Sequence, residues 1–220
     1  MELLRGIQTR RSVRAFKDRP IEKSILKKII LAATNAPSYS NTQPWEIAIV
    51  TGKKKREQLI QNVYQAAYSK QKARPHLPFP KRWPEEMRKR AFLHMTRRYE
   101  TVGVSKKDRE GKRNEFLQNF LFFNASAVII VYMDEGLGPW SIFDMGLFVQ
   151  NLILAAHGMG LGTCIQAMSV SYPDIIAKCL GISLSKKIVV AIPMGYEDKG
   201  APINRYLSEK KKIEEWVKWL

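Results

Sequence analysis

Apolar residues recur at Ile21, Ile25, Leu26, Ile29, Ile30 and Ala33, the three-and-four spacing of one helix face. The stripe stops before Pro37, where the helix is expected to have ended. Next, "WEIAIVT" is apolar and β-branched and runs into "TGKK", which reads as a strand and its exit. Helical spacing returns from Arg56 to Tyr68 through Leu59, Ile60, Val63, Tyr64 and Ala67. Pro75, Pro78, Pro80 and Pro84 then predict an irregular stretch, with helical character resuming at Glu85. "SAVIIVYM" is a short continuous apolar run and predicts a buried strand. "WSIFDMGLFVQNLILAAHGMGLG" is apolar nearly all the way round a helix, which places that helix in the core and ends it at Gly158, Gly160 and Gly162. A helix near "PDIIAKCLG", a strand at "KKIVVAIPMG" and a charged tail with Trp216 and Trp219 complete the chain. Strands separated by long helices predict a sheet with helices around it and leave the direction of each strand pair open.

Composition bounds this picture. The chain has 220 residues, 45% of them hydrophobic, which fits one globular domain and excludes disorder. No apolar run approaches the roughly 20 residues of a membrane span, and "MELLRGIQTRR" lacks the apolar core of a signal peptide. A cytoplasmic protein with no membrane partner is expected. Cys164 and Cys179 are too few for a disulfide framework and sit in apolar surroundings, so buried free thiols are expected. The formal charge of +17 is regional: residues 51–113 hold 19 Lys plus Arg against 6 Asp plus Glu, a net +13. Bases and aromatics interleave there, in "PFPKRWPEEMRKRAFLHMTRRYE". Nucleic-acid binding, a funnel for acidic substrates and a solvated surface are all open readings.

Few chemical motifs survive inspection. "HGMGLGTCI" has Ile165 where a dinucleotide fingerprint needs its last glycine, and it follows a helix where the fingerprint must follow a strand. A helix terminus is the better reading. There is no phosphate-binding P-loop and no G-x-S-x-G, and His76, His94 and His157 lack partners at metal-ligand spacing. His157 reads as a satisfied core histidine. Two polar stretches remain. "RRSVR" sets Arg10, Arg11 and Arg14 around Ser12, and guanidinium forks with a hydroxyl suit a phosphate. "APSYSNTQPW" packs amides and hydroxyls into a turn, as the polar edge of a ring would require.

In order, "RRSVRAF", a helix, "APSYSNTQPWEIAIV", "NASAVIIVY", "DMGLFVQNLILAAHGMGLGTC" and "VVAIPMGY" resemble the nitroreductase family of flavoenzymes across nearly the whole chain. The stretch from "FPKRW" to "FFNAS" resembles the insert of a nitroaromatic-reducing branch. The resemblance implies an α+β fold, a central mixed β-sheet flanked by helices, and an intertwined homodimer with one FMN per active site at the subunit interface. Residues 1–220 would form a single FMN-binding domain, with about 64–113 as a basic insert or lid near the substrate region. The family's clamp maps onto Arg10, Arg11, Ser12 and Arg14, with Val13 supplying position rather than charge. The phosphate would meet the first arginines, and Arg14 would reach the pyrimidine edge, where negative charge develops on reduction.

The same resemblance maps a ring-edge segment onto Pro37, Ser38, Asn41, Gln43, Pro44 and Trp45, approaching from the partner subunit, with Pro44 and Trp45 read as packing. It maps the ring-facing backbone onto Ile165, Gln166 and Ala167, with N–H groups toward N5 and O4. A late phosphate arginine falls near Lys210, where lysine keeps the charge and loses the fork, leaving Lys210, Lys211 and Arg205 as candidates. The implied chemistry is ping-pong: NADH or NADPH gives hydride to the flavin, and a small-molecule acceptor, a nitroaromatic, quinone or activated alkene, then takes it. The alternatives are a family relative with a non-nitro acceptor, doing enone reduction, dehalogenation or flavin-consuming chemistry, and a basic nucleic-acid-binding protein. For the latter the sequence has no helix-turn-helix, zinc or RNP motif.

Overall fold

The apolar run expected as a strand lies at the centre of the molecule. It forms β2 (Ala127–Asp134) in the computed structural model, which describes residues 2–220. β2 is flanked by β1 (Glu46–Val50) and β4 (Lys186–Gly195), and the short β3 (Gly162–Thr163) completes the order β1-β2-β4-β3. These pairings are antiparallel, and the sheet becomes mixed where Ser12 joins Thr163 in a parallel bridge. The N-terminal segment is thereby added to the sheet edge beside β3.

Helices cover both faces, which is why β2 shows no polar alternation. Ala127, Ile129, Val131 and Met133 face one core with α2 (Lys23–Ala33) and α6 (Pro139–Gly158). Val128 and Ile130 face a second core with α3 (Lys53–Tyr68) and α7 (Pro173–Leu180). A bulge at Val131/Tyr132 changes the parity of β4, so that Val190 and Ile192 join the first core while Ile188 joins the second.

Three further helices carry little buried surface. They are α1 (Leu3–Thr9), α4 (Glu85–Thr101) and α5 (Arg109–Leu117), and among their residues only Gly6 and Leu117 are buried. The expectation for α6 needs one correction. Its C-terminal two-thirds is core, but near its start Trp140 is 67% exposed and Phe143 59% exposed, so part of its apolar surface lies uncovered within the chain. Cys164 and Cys179 are buried and free, as expected. Among the described residues, no helix is long and apolar enough to cross a membrane.

Candidate active site

The N-terminal segment is extended, and the fold holds it from three directions. Val13 donates its N–H to the Thr163 carbonyl at 2.9 Å, which ties the segment to β3. Val13 is 3% exposed and packs against Gly162, where a Cβ would lie 2.7 Å from a Val13 methyl. Only glycine allows the two backbones to approach so closely. Asn204, itself buried, accepts the Arg14 N–H on Oδ1 at 2.8 Å and donates from Nδ2 to the carbonyls of Ala15 and Asp198, also at 2.8 Å. Arg11 pairs with Glu197 at 2.5 Å and donates to the Asn204 carbonyl. Its fork is therefore committed within the chain, whereas Arg10 has no ion pair among the described residues.

Arg10, Arg11, Ser12, Arg14 and Lys210 line one cavity of about 320 Å³, with His94 and Tyr206 in its wall and no carboxylate among its lining residues. Arg205 and Lys211 do not line it, so the structure brings Lys210 alone of the three candidates to the clamp. Lys210 Nζ donates to Ser208 Oγ at 3.2 Å. Burial, and after it the neighbouring Arg98 among other charges, holds the Arg14 guanidinium below its ordinary range. Its Nε is buried without a hydrogen-bond partner. An unpaired buried donor of this kind costs about 1–3 kcal/mol, more when charged, and favours an anion.

After β3 the chain stays extended, and alternate N–H groups point opposite ways. Gln166 is buried and donates its N–H to the Ala191 carbonyl at 2.8 Å. That group is spent inside the sheet. Ile165 and Ala167 are exposed, and among the described residues their N–H groups have no protein acceptor. The stretch thus offers two outward donors where the sequence suggested three.

The polar turn lies elsewhere. None of residues 37–43 lines the clamp cavity; Pro37, Ser38 and Tyr39 instead line a cavity of about 250 Å³ with Trp140, Phe143, Asp144 and Leu147. Asp144, buried on α6, accepts the Tyr39 N–H at 3.1 and 3.2 Å. Ser38 Oγ accepts the Gln43 N–H at 3.0 Å, and Gln43 Nε2 donates to Asn41 Oδ1 at 3.2 Å. Ser40, Asn41 and Gln43 all have positive φ, at 49°, 56° and 46°. Trp45 stacks on Phe148 at 4.9 Å and Pro44 is buried, so both pack, as expected.

The basic segment divides by face. Most of its lysines and arginines are exposed, the solvated-surface reading. On α4, however, Nδ1 of His94 lies 2.7 Å from the Tyr206 hydroxyl, and Arg97 pairs with Glu209. The helix is thus fastened to the C-terminal segment beside the clamp. His157 is half-buried, with Nε2 2.9 Å from Thr9 Oγ1, whose hydroxyl donates to the Arg5 carbonyl. It is a satisfied structural histidine at the edge of the core. Asn204, Glu197, Asp144, His94 and Tyr206 had no motif to announce them.

Comparison with known proteins identifies the relatives of this fold. The nitroreductase family model matches residues 7–196. The chain is 35% identical over 202 residues to the 4-nitrobenzoate reductase of Pseudomonas putida, covering 90% of this chain and 86% of that one. Its fold matches the FMN- and NADPH-dependent nitroreductase NfnB from Sphigopyxis sp. strain HMH with a TM-score of 0.96, at 26% identity over 100% of this chain and 99% of the other. The FMN-dependent nitroreductase NfnB from Mycobacterium smegmatis, solved in complex with NADPH, matches with a TM-score of 0.93, at 25% identity over 99% and 97% of the two chains. With its clamp strand bridged to β3 at the sheet edge and the family model spanning that strand and the sheet beside it, the chain belongs to the nitroreductase family.

Proposed function

We propose that the protein is an FMN-dependent oxidoreductase that takes hydride from NAD(P)H and reduces a nitroaromatic or a similar small-molecule acceptor by a ping-pong mechanism. The observation that carries this reading is the clamp cavity, where Arg10, Arg14 and Lys210 converge with no carboxylate among its lining residues and the buried Nε of Arg14 lacks a partner. That donor set fits a phosphate with an electron-rich ring beside it. Arg10, Ser12 and Lys210 would hold the phosphate. Arg14 would face the pyrimidine edge, and the free N–H groups of Ile165 and Ala167 would address the ring. Arg11, tied to Glu197, supports the strand from behind. FMN, when bound, supplies a position that accepts and returns a hydride. In the balanced reaction NAD(P)H loses one hydride, which is two electrons and a proton, and a nitro group gains those two electrons with two protons, the second from solvent, to give a nitroso group and water.

The reading includes a homodimer whose sites are shared, with the clamp from one subunit and Ser38, Asn41 and Gln43 from the other. It is supported by the exposure of the turn, its absence from the clamp cavity, and the uncovered apolar side chains of Leu3, Leu4, Trp140, Phe143, Trp216 and Trp219. The whole chain then acts as one FMN-binding unit, with the α4 region as a lid. The experiment is a visible spectrum of the purified protein followed by anaerobic NADPH and NADH. Flavin bands that bleach and return with 4-nitrobenzoate alone are expected. A colourless protein that takes up no added FMN would overturn the assignment.

A further inference from the structure

We infer that Arg98, brought in by α4, is a second cation of the clamp, set beside Arg14 to hold the negative charge that a flavin ring gains at its pyrimidine edge on reduction. The inference rests on the FMN reading. It begins with the register of α4. His94 meets Tyr206 in the cavity wall, with the two rings edge to face at 5.2 Å. Arg98 is one turn further on, so it shares that face, and the Arg97–Glu209 pair fastens the same turn to the C-terminal segment.

The second observation is polar bookkeeping. Among the described residues, three buried side-chain nitrogen or oxygen atoms have no hydrogen-bond partner, and two of them are Arg14 Nε and Arg98 Nε. Neither guanidinium has an ion pair among the described residues. Each also acts on its surroundings: Arg98 depresses the Arg14 ionisation, behind burial, and both arginines depress that of His94. Two like charges with buried, unsatisfied donors are unfavourable unless one anion serves both.

The third observation places that anion. Arg98 does not line the cavity that holds Arg10 and Lys210, the proposed phosphate end. Instead, after burial raises the Cys164 thiol, Arg14 and Arg98 both draw it down, each more than Arg10 does. Cys164 precedes Ile165, whose N–H has no protein acceptor. Absent from the phosphate-end cavity, yet on the α4 face that meets its wall through His94, Arg98 is assigned to the ring end of the site. Its stacking on Tyr99, with the guanidinium carbon 5.3 Å from the ring centroid, orients the side chain without using its N–H groups.

The test compares wild type, Arg98→Lys and Arg98→Gln holoenzymes. FMN content is read by absorbance, the midpoint potential by anaerobic reduction, and anion stabilisation by titration with sulfite, which bonds to the flavin N5 and leaves negative charge on the pyrimidine edge. Arg98→Gln should weaken sulfite binding about tenfold and lower the two-electron potential by about 30 mV. Arg98→Lys should recover most of both. If Arg98→Gln loses its flavin on purification, binding of oxidised and reduced FMN is measured separately, and reduced FMN must suffer more. Equal losses, or a flavin-replete Gln variant with wild-type potential and sulfite affinity, would overturn the inference. A wild type that binds no flavin would instead overturn the reading beneath it.

Discussion

The clamp at residues 10–14 and the turn at residues 37–43 are both short, polar and near the surface, yet they are held in opposite ways. The clamp is braced from β3, from Asn204 and from Glu197, segments 150 to 190 positions away in the chain, and its side chains converge on a cavity. The turn is braced largely by itself. Ser38 holds Gln43 and Gln43 holds Asn41, while from α6 Asp144 reaches in with a hydrogen bond and Trp140 stacks on Tyr39 at 6.1 Å. Three non-glycine residues sit there in the left-handed region, at roughly 1–2 kcal/mol each. Backbone strain of this kind clusters at functional sites. On the proposed reading, the clamp serves a ligand within the chain and the turn serves the partner subunit.

The sharpest way to break this comparison is to mix lesions. Chains carrying Arg10→Glu and chains carrying Ser38→Trp should each form inactive homodimers. In a mixed dimer with shared sites, both lesions fall in one site and the other is intact. Activity should therefore reappear at about half the wild-type value per dimer. If clamp and turn of one chain served one site, every site would carry a lesion, and heterodimers separated by tag would stay silent.

The next contrast concerns the braces. Asn204→Ala strips partners from the Arg14 N–H and from the Ala15 and Asp198 carbonyls at once, a loss of about 3 kcal/mol. Urea denaturation of the protein stripped of flavin should show most of that loss, because the brace exists without cofactor. Asp144→Ala removes the hydrogen bonds that tie the turn to α6, beneath residues that are already exposed. It should leave the urea midpoint of stripped protein closer to wild type than Asn204→Ala does, while weakening FMN binding to the dimer. Equal midpoints for the two variants would erase the distinction between braced clamp and self-held turn.

What the sequence could say follows the same division. The stripes of α2, α3, α6 and α7 and the apolar runs of β2 and β4 were legible because they face large cores, and burial writes periodicity into sequence. Helices α1 and α5 bury almost nothing and left no stripe. For α5 the available signal was Asp108, which caps it by accepting the Gly111 N–H at 2.8 Å. The left-handed run at Phe122, Phe123 and Asn124, two of them buried, follows no hydrophobic period and was beyond pattern reading. In the site, contiguous letters were readable and their directions were not. Arg10 and Arg11 are the same residue type, but Arg11 turns to Glu197, and nothing local announces a partner so distant. For the same reason Arg98 looked like one more charge in a basic stretch until α4 set it near Arg14.

A smaller effect should come from the seam between clamp and sheet. Gly162→Ala drives a Cβ into Val13, with three Val13 side-chain atoms within 2.8 Å of the built position. The extended segment can retreat only by lengthening the Val13 to Thr163 hydrogen bond. Overpacking of this kind costs about 1–3 kcal/mol. FMN affinity should fall with stability, because the phosphate-facing residues ride on the displaced strand. A variant with lowered stability and unchanged FMN affinity would separate the strand's position from its binding role.

The smallest expected effect is electrostatic and combines burial with the clamp's positive field. His94 faces Tyr206, and burial first, then Arg14, Arg98 and Lys210, hold its ionisation below the ordinary histidine value near 6.5. In the unfolded chain the burial and the field are both absent, so below pH 6.5 the unfolded state binds a proton that the folded state resists. Stability from this residue is full above the unfolded value and is lost as pH falls through the depressed folded one. Urea midpoints of wild-type protein stripped of flavin should therefore fall between pH 7.5 and pH 5.5 by more than those of His94→Gln. His157, depressed by burial and by Arg10 and Arg11, adds a slope of the same sign to both proteins and drops out of the difference. Inorganic phosphate at the clamp would offset part of the positive field and flatten the His94 contribution, whereas raised sodium chloride would act only by screening. If the two proteins have parallel pH profiles, or if phosphate and chloride act alike at matched ionic strength, the clamp does not project the field its arginines imply.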